Sequence, residues 1–134
     1  MASHGSFASG IKSSLDVLLG KSDNVSVIDA YLTQDNFEEQ LDTYFSSIPE
    51  NEPVVMLSDL FGGSVNQKMV LRLTRSNTFL VAGINLPMVL SLAMNTELLT
   101  RESLLRIVEE SREALKLVEI QTKRVQNEDF FGGS

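Results

Sequence analysis

The 134-residue chain contains no cysteine, no tryptophan and a single histidine, and its 11 lysines and arginines are outnumbered by 18 aspartates and glutamates. The absence of cysteine excludes a disulfide framework, a thiolate nucleophile and a zinc–thiolate centre. One histidine, His4, is too few for a histidine-rich metal site, and no motif calls for a metal or a cofactor. A formal net charge of −7 with no lysine or arginine cluster argues against nucleic acid as a partner. Long hydrophobic runs are also missing. The longest, "NLPMVLSLAM", is too short to span a bilayer and contains a proline. The N-terminus lacks the charged and then apolar regions of a secretory signal. These absences together predict a cytoplasmic location.

What is present fits one globular domain, with 43% hydrophobic residues. Phe7, Ile11, Leu15, Leu18 and Leu19 share a helical face, and Gly20 follows where a helix stop belongs. "VSVIDAY" (25–31) alternates as a strand does. Asp35-x-x-Glu38 has capping-box spacing before an amphipathic helix carrying Phe37, Leu41, Tyr44, Phe45 and Ile48. After a polar loop at 49–53, "VVMLS" (54–58) has the unbroken apolar character of a strand buried on both faces. A helical stretch with Val65, Met69, Val70 and Leu73 leads to a further strand, "TFLVAG" (78–83). Asn85-Leu86-Pro87 opens another helix, and Thr100 caps a last one expected to reach about Leu117. "VEIQTKRV" (118–125) reads either as continued helix or as a final strand, and residues 126–134 as a tail. This alternation predicts an α/β fold: a doubly wound, mostly parallel sheet with helices on both faces. In such sheets, sites form at the carboxyl ends of strands near the topological switch point.

The residues able to do chemistry fall at those ends. His4 is by default a solvated terminal histidine; at a strand-to-helix turn it is also suited to be a nucleophile or base, with Ser3 and Gly5 leaving room for close approach. Asp59 follows "VVMLS" and fits equally a helix cap and a carboxylate that orients a histidine. Gly62-Gly63-Ser64 is either a tight turn or a set of N–H and hydroxyl donors for an anion. No P-loop or G-x-G-x-x-G motif is present, so nucleotide binding has no support.

In combination these motifs are more specific. "ASHGSFASGIKSSLDVLLG", "LSDLFGGSVNQ" and "VAGINLPMVL", in that order, closely resemble the EIIA components of the mannose family of bacterial sugar phosphotransferase systems (PTS), over roughly residues 2 to 117. The resemblance implies that His4 carries a phosphoryl group, that Asp59 orients it, and that Gly62, Gly63 and Ser64 contact the phosphate. It implies HPr as donor, an EIIB component as acceptor, membrane EIIC and EIID components as indirect partners, and no cofactor. It also implies a homodimer, and an antiparallel C-terminal edge strand at 118–125 exchanged between subunits would build one. Two relatives of this activity fit the same pattern less well: the phosphoryl-transfer subunit of dihydroxyacetone kinases, and a non-catalytic regulatory module of the same fold.

The chain departs from the family at two places. Val65 stands where many members have proline. Only Met1, Ala2 and Ser3 precede His4, where members have an apolar strand. A single domain over residues 1–125 lacking most of its first strand is therefore expected, either because the chain is truncated as given or because something else fills that place.

Overall fold

The computed structural model describes residues 1–120. Four strands and five helices alternate: β1 (Ala2–His4), α1 (Phe7–Leu19), β2 (Ile28–Ala30), α2 (Phe37–Ser46), β3 (Val54–Ser58), α3 (Ser64–Val70) running into a 3-10 turn (Leu71–Thr74), β4 (Thr78–Ala82), α4 (Leu86–Met94) and α5 (Arg101–Glu113). All strand pairs are parallel, and the sheet order is β2-β1-β3-β4. From β1 the chain moves outward to β2, then crosses to the other side of β1 to form β3. The switch point therefore lies between β1 and β3, and His4 stands at the carboxyl end of β1.

The sheet is covered on both faces, which is why β3 is apolar at successive positions. Val54 and Met56 face one core layer with Phe37 and Leu41 of α2 and Val65 and Met69 of α3. Val55 and Leu57 face the opposite layer with Leu15 of α1, Met88 and Val89 of α4, and Ile107 of α5. The doubly wound α/β class follows from this layering. No helix among the described residues is long and apolar enough to cross a membrane.

Several local expectations shift. β2 is shorter than the alternating stretch at 25–31, because β1 offers it only Ala2, Ser3 and His4 as partners. The cap of α2 is Asn36 rather than Asp35: its side chain accepts the Glu39 N–H at 3.0 Å, which places the cap one residue later. α5 is capped by Thr100 with Ser103 in a reciprocal box, but it stops at Glu113, short of Leu117. Residues 118–120 form neither helix nor strand. The rest of the segment 118–125 and the tail at 126–134 lie outside the described residues.

β1 is a real but short central strand. Its Ala2 pairs with Ser58 at the end of β3, and among the described residues no strand lies beside Val54–Leu57 on that side. A cavity of about 170 Å³ occupies the space, lined by Ile28, Leu41, Met56, Met69 and Val89 among others.

Candidate active site

The turn after β1 is set by small residues. Gly5 has φ 59°, a left-handed conformation that costs glycine nothing, and its N–H bonds the Ala30 carbonyl at 2.9 Å. Ser3 is fully buried, and its Oγ accepts the Ala8 N–H at 2.7 Å, closing the first turn of α1. His4 is thereby fixed at the carboxyl end of the sheet with about 42% of its side chain exposed.

Asp59, the residue after β3, meets it there. Asp59 Oδ2 accepts the His4 backbone N–H at 2.8 Å and lies 2.8 Å from His4 Nδ1; Asp59 Oδ1 accepts the Leu60 N–H at 2.9 Å. Burial pushes the Asp59 carboxyl up. The His4 backbone N–H, the His4 ring, the Leu60 N–H and the charge on His4 together outweigh that and hold it below the usual carboxylate range. Asp59 is therefore ionised at neutral pH and only accepts hydrogen bonds, so Nδ1 of His4 is the protonated ring nitrogen. The other nitrogen, Nε2, faces Ser64 Oγ at 3.2 Å.

The 60–64 turn is locked from below. Asn66 is buried; its Nδ2 donates to Ser58 Oγ at 2.9 Å, and its Oδ1 accepts the Gly62 N–H at 3.0 Å. Gln67 Nε2 donates to the Gly62 carbonyl at 2.8 Å. At Gly63 a β-carbon would come within 3.2 Å of Leu60 Cβ and 3.7 Å of His4 Cε1, so glycine lets the turn close against the histidine. The Gly63 N–H bonds the Leu60 carbonyl at 3.2 Å. The amides of Gly62 and Gly63 are thus used inside the turn. Of this tripeptide, Ser64 is the residue whose side chain contacts the ring.

His4, Asp59, Gly63 and Ser64, separated by as many as 60 residues in sequence, are brought together at the switch point. Sequence reasoning missed Asn66, Gln67 and Tyr31. Tyr31 stacks obliquely on His4, with ring centroids 5.4 Å apart, and its hydroxyl lies 3.1 Å from Ser64 Oγ. The signal for it was its place just past a parallel strand, at the same carboxyl end of the sheet as His4. Around the site Phe7, Tyr31, Leu32, Leu60 and Phe61 are exposed apolar side chains.

The family model for the mannose-type EIIA group, described as PTS system fructose IIA component, matches residues 1–109. The chain belongs to this PTS EIIA family. It is similar in structure to a putative PTS permease from Klebsiella pneumoniae, with 28% identity, a TM-score of 0.77, and coverage of 87% of this chain and 86% of that one. It is also similar to the PTS IIA protein associated with the fucose utilization operon of Streptococcus pneumoniae, at 27% identity, a TM-score of 0.73 and coverage of 87% and 88%. The mannose/sorbose specific IIA subunit from Enterococcus faecalis shares the fold at 21% identity, a TM-score of 0.72 and coverage of 89% and 92%. No curated protein matches the chain. The EIIA family places the chain among sugar phosphotransferase components.

Proposed function

We propose that this EIIA protein is a cytoplasmic phosphocarrier, in which His4 Nε2 takes a phosphoryl group from phospho-HPr and gives it to an EIIB component. The observation that carries this reading is the pairing of His4 Nδ1 with the ionised Asp59 at 2.8 Å, on a ring that is itself exposed. With Nδ1 protonated, the lone pair of the neutral ring is on Nε2. That lone pair attacks phosphorus as the donor's nitrogen–phosphorus bond breaks, and the bonding pair leaves on the donor's nitrogen. The His4 ring, still protonated on Nδ1, gains positive charge, which Asp59 balances. Return of the phosphoryl group to an acceptor reverses these charges.

Ser64 Oγ is close enough to donate to a phosphoryl oxygen once the group sits on Nε2. Gly62 and Gly63 contribute by shape rather than by free amides, since both N–H groups close the turn. The exposed Phe7, Leu60 and Phe61 beside the histidine suit protein partners, which must bury this edge during in-line transfer.

Incubation with phosphoenolpyruvate, enzyme I and HPr, followed by intact-mass measurement, tests the reading. One acid-labile phosphoryl group should be gained, and His4→Ala should gain none. An acid-stable adduct, or one that survives the substitution, overturns it.

A further inference from the structure

We propose that Tyr31 is a positioning residue for phosphoryl transfer, its hydroxyl aiming the Ser64 proton at His4 Nε2 and then at the phosphoryl group. The inference rests on the phosphocarrier reading above.

The hydrogen-bond directions follow from the carboxylate outward. Asp59 accepts from Nδ1, so in the neutral ring Nε2 is an acceptor. Ser64, at 3.2 Å, must then donate to it. A hydroxyl that donates in one direction accepts best in the other, and Tyr31 Oη lies 3.1 Å from the same Ser64 Oγ. The chain runs Tyr31 O–H to Ser64 Oγ–H to His4 Nε2. Without the tyrosine donor, the serine hydroxyl is free to rotate toward solvent. When phosphorus occupies Nε2, the Ser64 proton turns to a phosphoryl oxygen while Tyr31 continues to hold the serine oxygen. If the ring instead takes up a proton on Nε2, every bond in the chain reverses, so the arrangement serves both protonation states.

A second observation is independent of these distances. Tyr31 has φ 68°. A left-handed backbone is disfavoured for a residue with a β-carbon, and it persists where its surroundings hold it. They do so here. The Tyr31 ring is flanked by the His4 ring and by Phe37, whose centroid is 6.3 Å away, and Lys68 Nζ lies 5.6 Å from its centroid. Glycine or asparagine would fit this backbone with less strain, but neither carries a hydroxyl to this point.

Tyr31→Phe keeps the ring, the backbone and the Lys68 contact and removes only the hydroxyl. At saturating phospho-HPr, the rate of His4 phosphorylation should fall about tenfold, less than the hundredfold or more lost with a donor in direct contact. The HPr concentration giving half-maximal rate and the melting temperature should hardly change. Ser64→Ala should slow transfer further, and Tyr31→Phe added to Ser64→Ala should cost nothing more, because the tyrosine acts through the serine. In the unphosphorylated protein, the ¹⁵N resonance of His4 Nε2 should move in Tyr31→Phe toward that of an unbonded ring nitrogen. If the wild type takes up no phosphoryl group, the phosphocarrier reading fails while the ¹⁵N shift still tests the hydroxyl chain. Unchanged rate and unchanged ¹⁵N shift in Tyr31→Phe, or effects of the two substitutions that multiply, overturn the role of Tyr31.

Discussion

Asp59 Oδ2 accepts both the backbone N–H and the ring Nδ1–H of His4, so on the proposed reading loss of its charge should act on phosphoryl transfer and on stability at once. Asp59→Asn keeps the shape and should fold, yet phosphoryl transfer should slow by roughly one to several powers of ten, as with other histidine-orienting carboxylates. A carboxyl held below its ordinary value contributes stability that is present above about pH 4 and is lost as pH falls through the depressed value. The wild type should therefore exceed Asp59→Asn in urea midpoint at pH 7, and the gap should close below pH 4. A gap that is constant with pH would mean that the charge of Asp59 is not what holds the loop. Asp59 could be picked out of the sequence because it directly follows a strand, Ser64 because it ends a Gly-Gly turn, and His4 because it is the single histidine and stands just ahead of a helix. Asn66 and Tyr31 could not. Asn66 acts by bridging Ser58 to Gly62, and Tyr31 by reaching Ser64 from another strand's end, so both roles exist only once the chain has closed in space.

At the scale of elements, apolar runs and turns were enough to place most strands and helices, since burial on both faces writes itself into "VVMLS" and its neighbours. The order β2-β1-β3-β4 was not readable, because alternation implies a parallel sheet but not which strand lies beside which. The length of β2 was misjudged for a related reason: alternation continues over 25–31, but a strand forms only where a neighbour supplies hydrogen bonds, and β1 supplies three residues. The space alongside Val54–Leu57 gives a direct test. Adding about five β-branched or other apolar residues ahead of Met1 would let β1 run beside the whole of β3 and fill the 170 Å³ cavity. Filling a cavity of that size contributes on the order of 4 kcal/mol, which corresponds to a rise of about 14 °C in melting temperature. Transfer should quicken as His4 is held more firmly against Asp59. Glycine and serine residues of equal number should give no such rise. If they stabilise as much as the apolar ones, the cavity is not being filled by a strand.

For the whole molecule, the stretch after α5 is the least compact of the described residues: Leu115, Leu117, Val118 and Ile120 are 86–90% exposed. Four apolar side chains left in water at one end suit pairing with a second copy. We expect the full chain to sediment as a homodimer and a form ending at Glu113 as a monomer; equal dimerisation of both would move the connector elsewhere. The twofold grip of Asp59 on His4 has a kinetic consequence at this scale. Only one ring nitrogen is offered to the outside, and in one direction. On the proposed phosphocarrier reading, donor and acceptor would therefore occupy the same ground in turn and would not be bound together at one histidine. Turnover would then be an alternation of loading and unloading, in which a surplus of either partner would obstruct the other, and the traffic through the protein would be governed by the balance of the two rather than by the abundance of each.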